Sequence, residues 1–194
     1  MVMAEAILLG LALSIVTGGS LRELSREPLK GEWALLLLLP MQLLWPQVSA
    51  QFGLECSLSI IMWLLMMAGL AVVLMVNAPR RWMLGFAALG IASNILVIGL
   101  NQAMPVSIEA ASEIGDTRQA ARTAMKSDCL HEELDSSTIL PFLADVVAVP
   151  GPPWQRGVLS VGDALLALGL SGWVFMACRP KHAMQWSSNM RVRY

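Results

Sequence analysis

The chain has 194 residues, of which 56% are hydrophobic and 14% charged, and its net charge is -1. Soluble domains carry roughly 25% charged residues, so this composition is typical of an integral membrane protein. The near-neutral charge, without a dense basic run, excludes a nucleic-acid partner. We also expect no cofactor and no metal, because the sequence has neither a CxxC pair nor a histidine-rich tract.

Five apolar stretches come close to the roughly 20 residues that a membrane span needs. The first contains Glu5 and could be a signal peptide, but it lacks a basic start, so we predict a retained span. Pro40 and Pro46 predict kinks in the second stretch. The sequence thus predicts an all-α, polytopic helical membrane protein with about five transmembrane helices, a single membrane domain over residues 1–194. The predicted spans are 2–17, 33–50, 57–76, 82–100 and 158–178.

The basic residues favour one orientation of these five spans. Lys and Arg concentrate in cytoplasmic connections. Nine of the thirteen follow the first, third and fifth spans: Arg22, Arg26, Lys30, Arg80, Arg81, Arg179, Lys181, Arg191 and Arg193. We therefore predict an outside N-terminus and a cytoplasmic C-terminus. Cys56 and Cys129 would then lie outside, where a disulfide can persist; three unrelated buried thiols, with Cys178, are the alternative.

The outer connection 101–157 is much longer than the others, and such connections are uncommon unless they are functional or disordered. We predict that this extracytoplasmic loop is partly helical, with helices at 107–114, 116–126 and 139–147 before a proline-rich turn. The second helix would place Arg118 and Arg122 on one face. That face either attracts lipid headgroups or an anionic substrate, or is simply solvated.

Two aspartates flank the proline-rich turn, and both belong at the outer interface. If Asp145 and Asp163 are close together and partly buried, one carboxyl keeps its proton while the other stays ionised. Acid–base activation of a water for amide hydrolysis requires that asymmetric state. Asp163 also has a structural explanation, because Ser160-Val-Gly-Asp163 fits a capping box that opens the last helix.

The chain resembles, over its whole length, a family of small bacterial membrane proteins classed only as a domain of unknown function. The residues that carry this resemblance are the outer segment Asn101-Gln-Ala-Met-Pro105-Val-Ser107 and the Ser160-Val-Gly-Asp163 sequence. The resemblance implies the bacterial cytoplasmic membrane and gives no activity.

The final third is similar to lipoprotein signal peptidase, an aspartyl enzyme of the bilayer. Leu143-Ala-Asp145-Val and Ser160-Val-Gly-Asp163 occupy positions comparable to that family's two catalytic stretches. The resemblance implies Asp145 and Asp163 as the catalytic pair. Two further peptidase motifs, Asn-x-Gly-Ala-Ala-Phe and Gly-Asn-x-x-Asp-Arg, are absent from this chain. The candidate substrate-binding residues are Asn101, Pro105, His131, Arg118 and Arg122.

These observations favour a membrane-embedded aspartyl hydrolase that acts at the outer interface on a membrane-anchored peptide or lipid-linked substrate, surrounded by membrane lipids. His131 could serve there as a base, or be an ordinary surface histidine. The alternative is a non-catalytic membrane protein. Gln42, Gln47 and Asn94 would then line a transport or lipid-binding cavity, or simply hydrogen-bond neighbouring helices. Otherwise, small residues such as Gly90 would pack the helices of an accessory subunit.

Overall fold

The computed structural model describes residues 2–115, 129–152 and 156–180, and this part of the chain is mostly helical. The five longer helices are α1 (Val2–Val16), α3 (Glu32–Gln51), α4 (Cys56–Asn77), α5 (Met83–Asn101) and α7 (Val161–Ala177). The short elements are α2 (Leu21–Leu24), β1 (Met104–Val106), α6 (Ile108–Glu113), β2 (His131–Glu133), a 3-10 helix (Pro141–Leu143), β3 (Val147–Val149) and β4 (Gly157–Leu159).

Three helices, α3, α4 and α5, are long and apolar enough to cross a membrane, whereas α1 and α7 are apolar but shorter. The prediction of a mostly helical protein with membrane-spanning helices is thereby confirmed, and the count of five spans stays a prediction. The helix α3 continues through Pro40 and Pro46. Large apolar side chains such as Leu37 and Leu43 are exposed on its surface, which is the surface that a lipid environment would cover.

The longer helices pack in the spatial order α3, α4, α5, α7 and α1. The closest packing joins α5 to α7, because glycines stand where the two backbones meet. A Cβ atom on Gly169 would overlap the backbone of Ala87, and one on Gly90 would overlap the carbonyl of Gly162. The prediction that small residues allow close helix packing is correct for this pair. The central core is formed by side chains of α4, α5 and α7: Met67, Leu70, Leu74, Leu84, Ala87, Ala88, Ile91 and Leu166.

The outer segment between α5 and α7 contains strands that the sequence analysis does not predict. The strand β1 pairs in parallel with β2, and β3 pairs antiparallel with β4. The predicted helix 107–114 is present as α6, with Ser107 as its N-cap. The predicted helix 139–147 is wrong: this stretch contains a short 3-10 helix and then enters β3. The predicted helix 116–126 lies outside the described residues.

A disulfide and a small apolar cluster attach this outer segment to the helices. Cys56, the first residue of α4, is bonded to Cys129, just before β2. Of the two alternatives for these cysteines, the structure has the disulfide, and Cys178 is a buried free thiol. The apolar cluster joins the outer ends of α4 and α5 to the segment through Ile60, Val97, Ile98, Met104 and Leu130.

Candidate functional site

The backbone of Asp145 is fixed by the end of β1. Its N–H donates to the carbonyl of Pro105 at 2.9 Å, and its own carbonyl accepts the N–H of Ser107, also at 2.9 Å. These two bonds make an isolated parallel bridge between Val106 and Asp145. Asp145 therefore extends the β1–β2 pair by a single bridge to Val106. This extended backbone stands where the apolar sequence predicts a helix.

The antiparallel pairing of β3 with β4 brings this stretch to the start of α7. Val147 lies opposite Leu159, and the N–H of Val146 donates to the Leu159 carbonyl at 3.2 Å. Two residues after Leu159, α7 begins at Val161, and its first turn carries Asp163. The β3–β4 pairing thus connects two aspartates that are eighteen positions apart in the sequence.

Asp163 is held by a network that includes a residue of α5. Ser160 and Asp163 form the predicted capping box, with the Asp163 N–H donating to Ser160 Oγ at 3.0 Å. Asn94 Nδ2 donates to Asp163 Oδ1 at 2.8 Å, and Ser160 Oγ donates to Asn94 Oδ1 at 3.0 Å. Gly162 permits this contact, because a Cβ atom there would overlap the Asn94 side chain. The carboxylate of Asp163 is therefore fixed in position as a hydrogen-bond acceptor.

Asp145 differs from Asp163 in being short of hydrogen-bond donors. The residue is 8% exposed, and its Oδ1 is buried without a hydrogen-bond partner in the described part of the chain. Burial, and secondarily the negative charge of Asp163, raise the pKa of Asp145 to about 7, while His131 acts in the opposite direction. The two carboxyl groups are thus electrostatically coupled, and Asp145 gains or loses its proton near neutral pH.

His131 reaches this site through the disulfide and the parallel strand pair. It is the first residue of β2, two positions after Cys129, and it lies opposite Met104 of β1. The side chain is half-buried, and its charge lowers the pKa of Asp145. The structure therefore brings together three of the sequence-predicted residues: Asp145, Asp163 and His131.

The other predicted substrate-binding residues are placed differently. The side-chain amide of Asn101 bonds the backbone of Ile139 in both directions, at 2.8 and 3.0 Å. Pro105 is fully buried, and its carbonyl is the one that accepts the Asp145 N–H. Both residues thus support the outer segment, and substrate binding by them stays a prediction. Arg118 and Arg122 lie outside the described residues.

The comparisons with known proteins identify a family. The family of unknown function DUF5317 matches residues 26–175 of the chain. The chain belongs to this family. No curated protein and no solved structure matches it. The predicted membership in a family of unknown function is confirmed. No comparison supports the resemblance to lipoprotein signal peptidase, which stays a prediction from the two aspartate motifs.

The DUF5317 match begins after α1 and α2 and includes every residue of the aspartate site. For one of these residues, Asn94, the sequence leaves two alternatives, the lining of a transport cavity and a hydrogen bond to a neighbouring helix. The structure has the hydrogen bonds, which join its amide to Asp163 and Ser160. The available signal was an asparagine within an otherwise apolar stretch, which indicates a buried hydrogen bond to a neighbouring helix but does not identify the partner.

Proposed function

We propose that this DUF5317 protein is a five-span protein of the bacterial cytoplasmic membrane, with an aspartyl hydrolase site on its outer face. Asp145 and Asp163 are the catalytic pair, and the substrate is a membrane-anchored peptide or a lipid-linked molecule. The observation that carries this proposal is the electrostatic coupling of a buried, donor-poor carboxyl group, that of Asp145, to a second carboxyl group that Asn94 and Ser160 hold in position.

The disulfide supports the proposed topology. Cys56 and Cys129 must lie on the same side of the membrane, and the two helices between them, α4 and α5, are each long enough to cross it. Two crossings return the chain to the side from which it started. Arg80 and Arg81, in the turn between these helices, then lie on the opposite, cytoplasmic side. Disulfides persist on the oxidising side, so Asp145 belongs to the outer face, and α1 and α7 complete five spans.

The two carboxyl groups suit opposite steps of amide hydrolysis. Asp163 is the base: its two oxygens accept from Asn94 and from the Ser160 N–H, and each oxygen retains a lone pair. It takes a proton from a water molecule whose oxygen attacks the substrate carbonyl carbon. Asp145 is the acid: its proton passes to the substrate oxygen and then to the leaving nitrogen as the carbon–nitrogen bond breaks. The proton that Asp163 took then passes to Asp145, which restores the starting state.

The test uses the purified full-length protein in detergent and a fluorogenic peptide that carries a diacylglyceryl-modified cysteine. We expect Asp145→Asn and Asp163→Asn each to reduce the cleavage rate at least about 100-fold, the usual size of an acid–base contribution. Circular dichroism and thermal unfolding should show that both variants stay folded.

The matched control is Asp135→Asn, which removes an exposed carboxylate of the same outer segment that is engaged in its own turn with Ser137. This variant should cleave at the wild-type rate. Retention of activity by either single-site variant of the pair, or an equal loss in the control, would contradict the assignment. Absence of cleavage by the wild-type protein would contradict peptidase activity.

A further inference from the structure

A pocket lies at the end of the helix bundle opposite the aspartate site, between the start of α5 and the end of α7. It encloses about 150 Å³. Three arginines and two tryptophans line it together with one acid: Arg80, Arg81, Arg179, Trp82, Trp173 and Glu27. We call it the basic pocket. It does not depend on the proposed hydrolase, because it shares no residue with that site.

Two buried donors in the lining of the basic pocket have no acceptor. Arg81 Nε and Trp173 Nε1 are both buried, and neither makes a hydrogen bond within the ranges that the structure describes. A buried donor without a partner costs roughly 1–3 kcal/mol, and more where the group is charged. Native proteins rarely retain such groups unless something outside the chain accepts the bond. These two donors therefore point to a ligand that carries acceptor atoms.

The guanidinium of Arg81 is held rigidly beside the pocket. Its NH2 group donates to Glu27 Oε2 and to the carbonyl of Pro28, both at 3.0 Å. These contacts occupy one edge of the guanidinium and leave Nε unbonded. Because the side chain is already ordered, binding through Nε costs little additional conformational entropy.

The electrostatic balance of the pocket favours an anion. Its lining contains three arginines against Glu27 alone, and Glu27 is already paired with Arg81. Arg179, two residues after the end of α7, has its guanidinium carbon 4.3 Å from the centre of the Phe175 ring of that helix. The pocket also lies at the N-terminal end of α5, which begins at Met83, where the helix dipole is positive.

Retention of basic residues on the cytoplasmic side explains the presence of arginines at this end. It does not explain why the indole N–H of Trp173 is buried and unbonded beside them. Donors that converge from α7, from the residues just after it and from the turn before α5 match an anion with several acceptor oxygens, and Arg commonly binds phosphate. A single carboxylate would be satisfied by one arginine.

We propose that the basic pocket binds the phosphate group of an anionic ligand, which is either a lipid headgroup or a soluble phosphate compound. Arg80, Arg81 and Arg179 supply charge, and the indole N–H of Trp173 donates one hydrogen bond. The exposed ring of Trp82 lies at the edge of the pocket, where an interfacial tryptophan contacts lipid.

The experiment measures binding to the purified full-length protein in a neutral detergent by microscale thermophoresis. Two probes carry phosphate on a lipid: dioctanoyl phosphatidylglycerol and dioctanoyl phosphatidic acid. Two are soluble: inorganic phosphate and glycerol 3-phosphate. Binding of the lipids alone assigns the pocket to a headgroup, and binding of the soluble compounds as well assigns it to a free phosphate. Absence of binding by all four probes overturns the proposal.

The decisive variants are Trp173→Phe and Arg179→Gln. Each should weaken binding about tenfold, the effect of one lost hydrogen bond to a charged group. Trp173→Phe should leave the melting temperature of the ligand-free protein unchanged or raised, because the donor that it removes is unbonded. A structural role of the indole N–H would instead lower the melting temperature.

The matched controls are Trp33→Phe and Arg22→Gln, which remove an exposed tryptophan and an exposed arginine outside the lining of the pocket. Both controls should bind like the wild type. If all four variants weaken binding equally, the attraction comes from the general charge of this surface, and the proposal is overturned. Since Arg179 is exposed, its variant tests the proposal even if Trp173→Phe fails to fold.

Discussion

Asn77 and Asn101 close opposite ends of the bundle with the same set of hydrogen bonds. Each is the last residue of its helix, α4 or α5. Each donates to the carbonyl four residues earlier, Val73 or Val97. Each also exchanges two hydrogen bonds with the backbone of a connecting residue, which is Lys30 at one end and Ile139 at the other.

The chemistry around these two equivalent asparagines is opposite. Near Asn101, the outer segment carries the coupled aspartates and a disulfide. Near Asn77, Arg81 borders the basic pocket. The NH1 group of Arg81 donates a long hydrogen bond of 3.5 Å to Asn77 Oδ1. The same set of asparagine hydrogen bonds therefore anchors a connection to a helix end whether acidic or basic residues lie nearby. Each end can therefore be perturbed with the other as its control.

The largest expected effect is the loss of stability on removal of the disulfide, which is present at the end of the bundle near Asn101. The disulfide joins residues 73 positions apart, and a loop of that length predicts about 4 kcal/mol of stabilisation by restriction of the unfolded chain. The Cys56→Ser and Cys129→Ser double variant should therefore lose about that amount in denaturant unfolding, and proteases should cleave the outer segment sooner. Phosphate binding in the basic pocket should persist. Cys178→Ala, which removes a free thiol, is the control; equal losses in the two proteins would show that the disulfide has no special role.

The next effect depends on pH and belongs to the outer end alone. Burial raises the pKa of Asp145 from 3.8 in the unfolded chain to about 7. The folded protein then binds more protons than the unfolded one within this window, so stability falls as the pH rises from 3.8 to about 7 and levels off above it. We expect a loss of roughly 4 kcal/mol across the window, at about 1.4 kcal/mol per pH unit. Asp145→Asn should remove this dependence, which thermal unfolding at a series of pH values would measure.

Asp135→Asn is the control, because the carboxyl group of Asp135 contributes to the pH dependence of stability with the opposite sign. Hydrogen bonds from Ser137 lower the pKa of Asp135, so its carboxylate favours the folded state above the unfolded pKa and loses that effect as the pH falls. A wild-type stability that stays flat between about pH 4 and about pH 7 would show that Asp145 is not buried as described.

The smallest effect tests the equivalence of the two asparagines directly. Asn101→Ala removes three hydrogen bonds, and Asn77→Ala removes the equivalent three together with the long one from Arg81. Each variant should lose roughly 1–3 kcal/mol, with the greater loss at Asn77 because it is 3% exposed. Denaturant unfolding measures both losses. Ser93→Ala, which removes an exposed hydrogen bond within α5, is the control and should change stability by less than about 0.5 kcal/mol. A loss at only one asparagine would break the comparison.

The long helices were predictable from the sequence because apolar stretches of this length have few alternatives. The predicted spans 33–50 and 57–76 lie within α3 and α4, one residue inside each helix end. The outer segment was not predictable in the same way. Residues 139–147 have an apolar pattern typical of a helix, but the bridge between Asp145 and Val106 joins positions 39 residues apart and outweighs that local preference.

The choice of Asp145 and Asp163 as site residues was possible from the sequence, because a carboxyl group within an apolar stretch is uncommon. Their surroundings were not predictable. The contact between Asn94 and Asp163 requires that α5 and α7 approach closely at Gly90 and Gly162. The position of His131 requires the disulfide and a parallel strand pair. Each of these depends on contacts between distant parts of the chain, for which local residue patterns carry no information.

The disulfide also bears on the order in which the site can be assembled during synthesis. Its second cysteine, Cys129, precedes Asp163 and α7 in the chain. Segments nearer the N-terminus emerge from the ribosome first and fold as units, so the loop containing α4 and α5 can be sealed while α7 is still being translated. His131 is then already attached to the helices when the second aspartate arrives. A nascent chain at this stage has only Asp145 of the two aspartates, and the insertion of α7 adds Asp163.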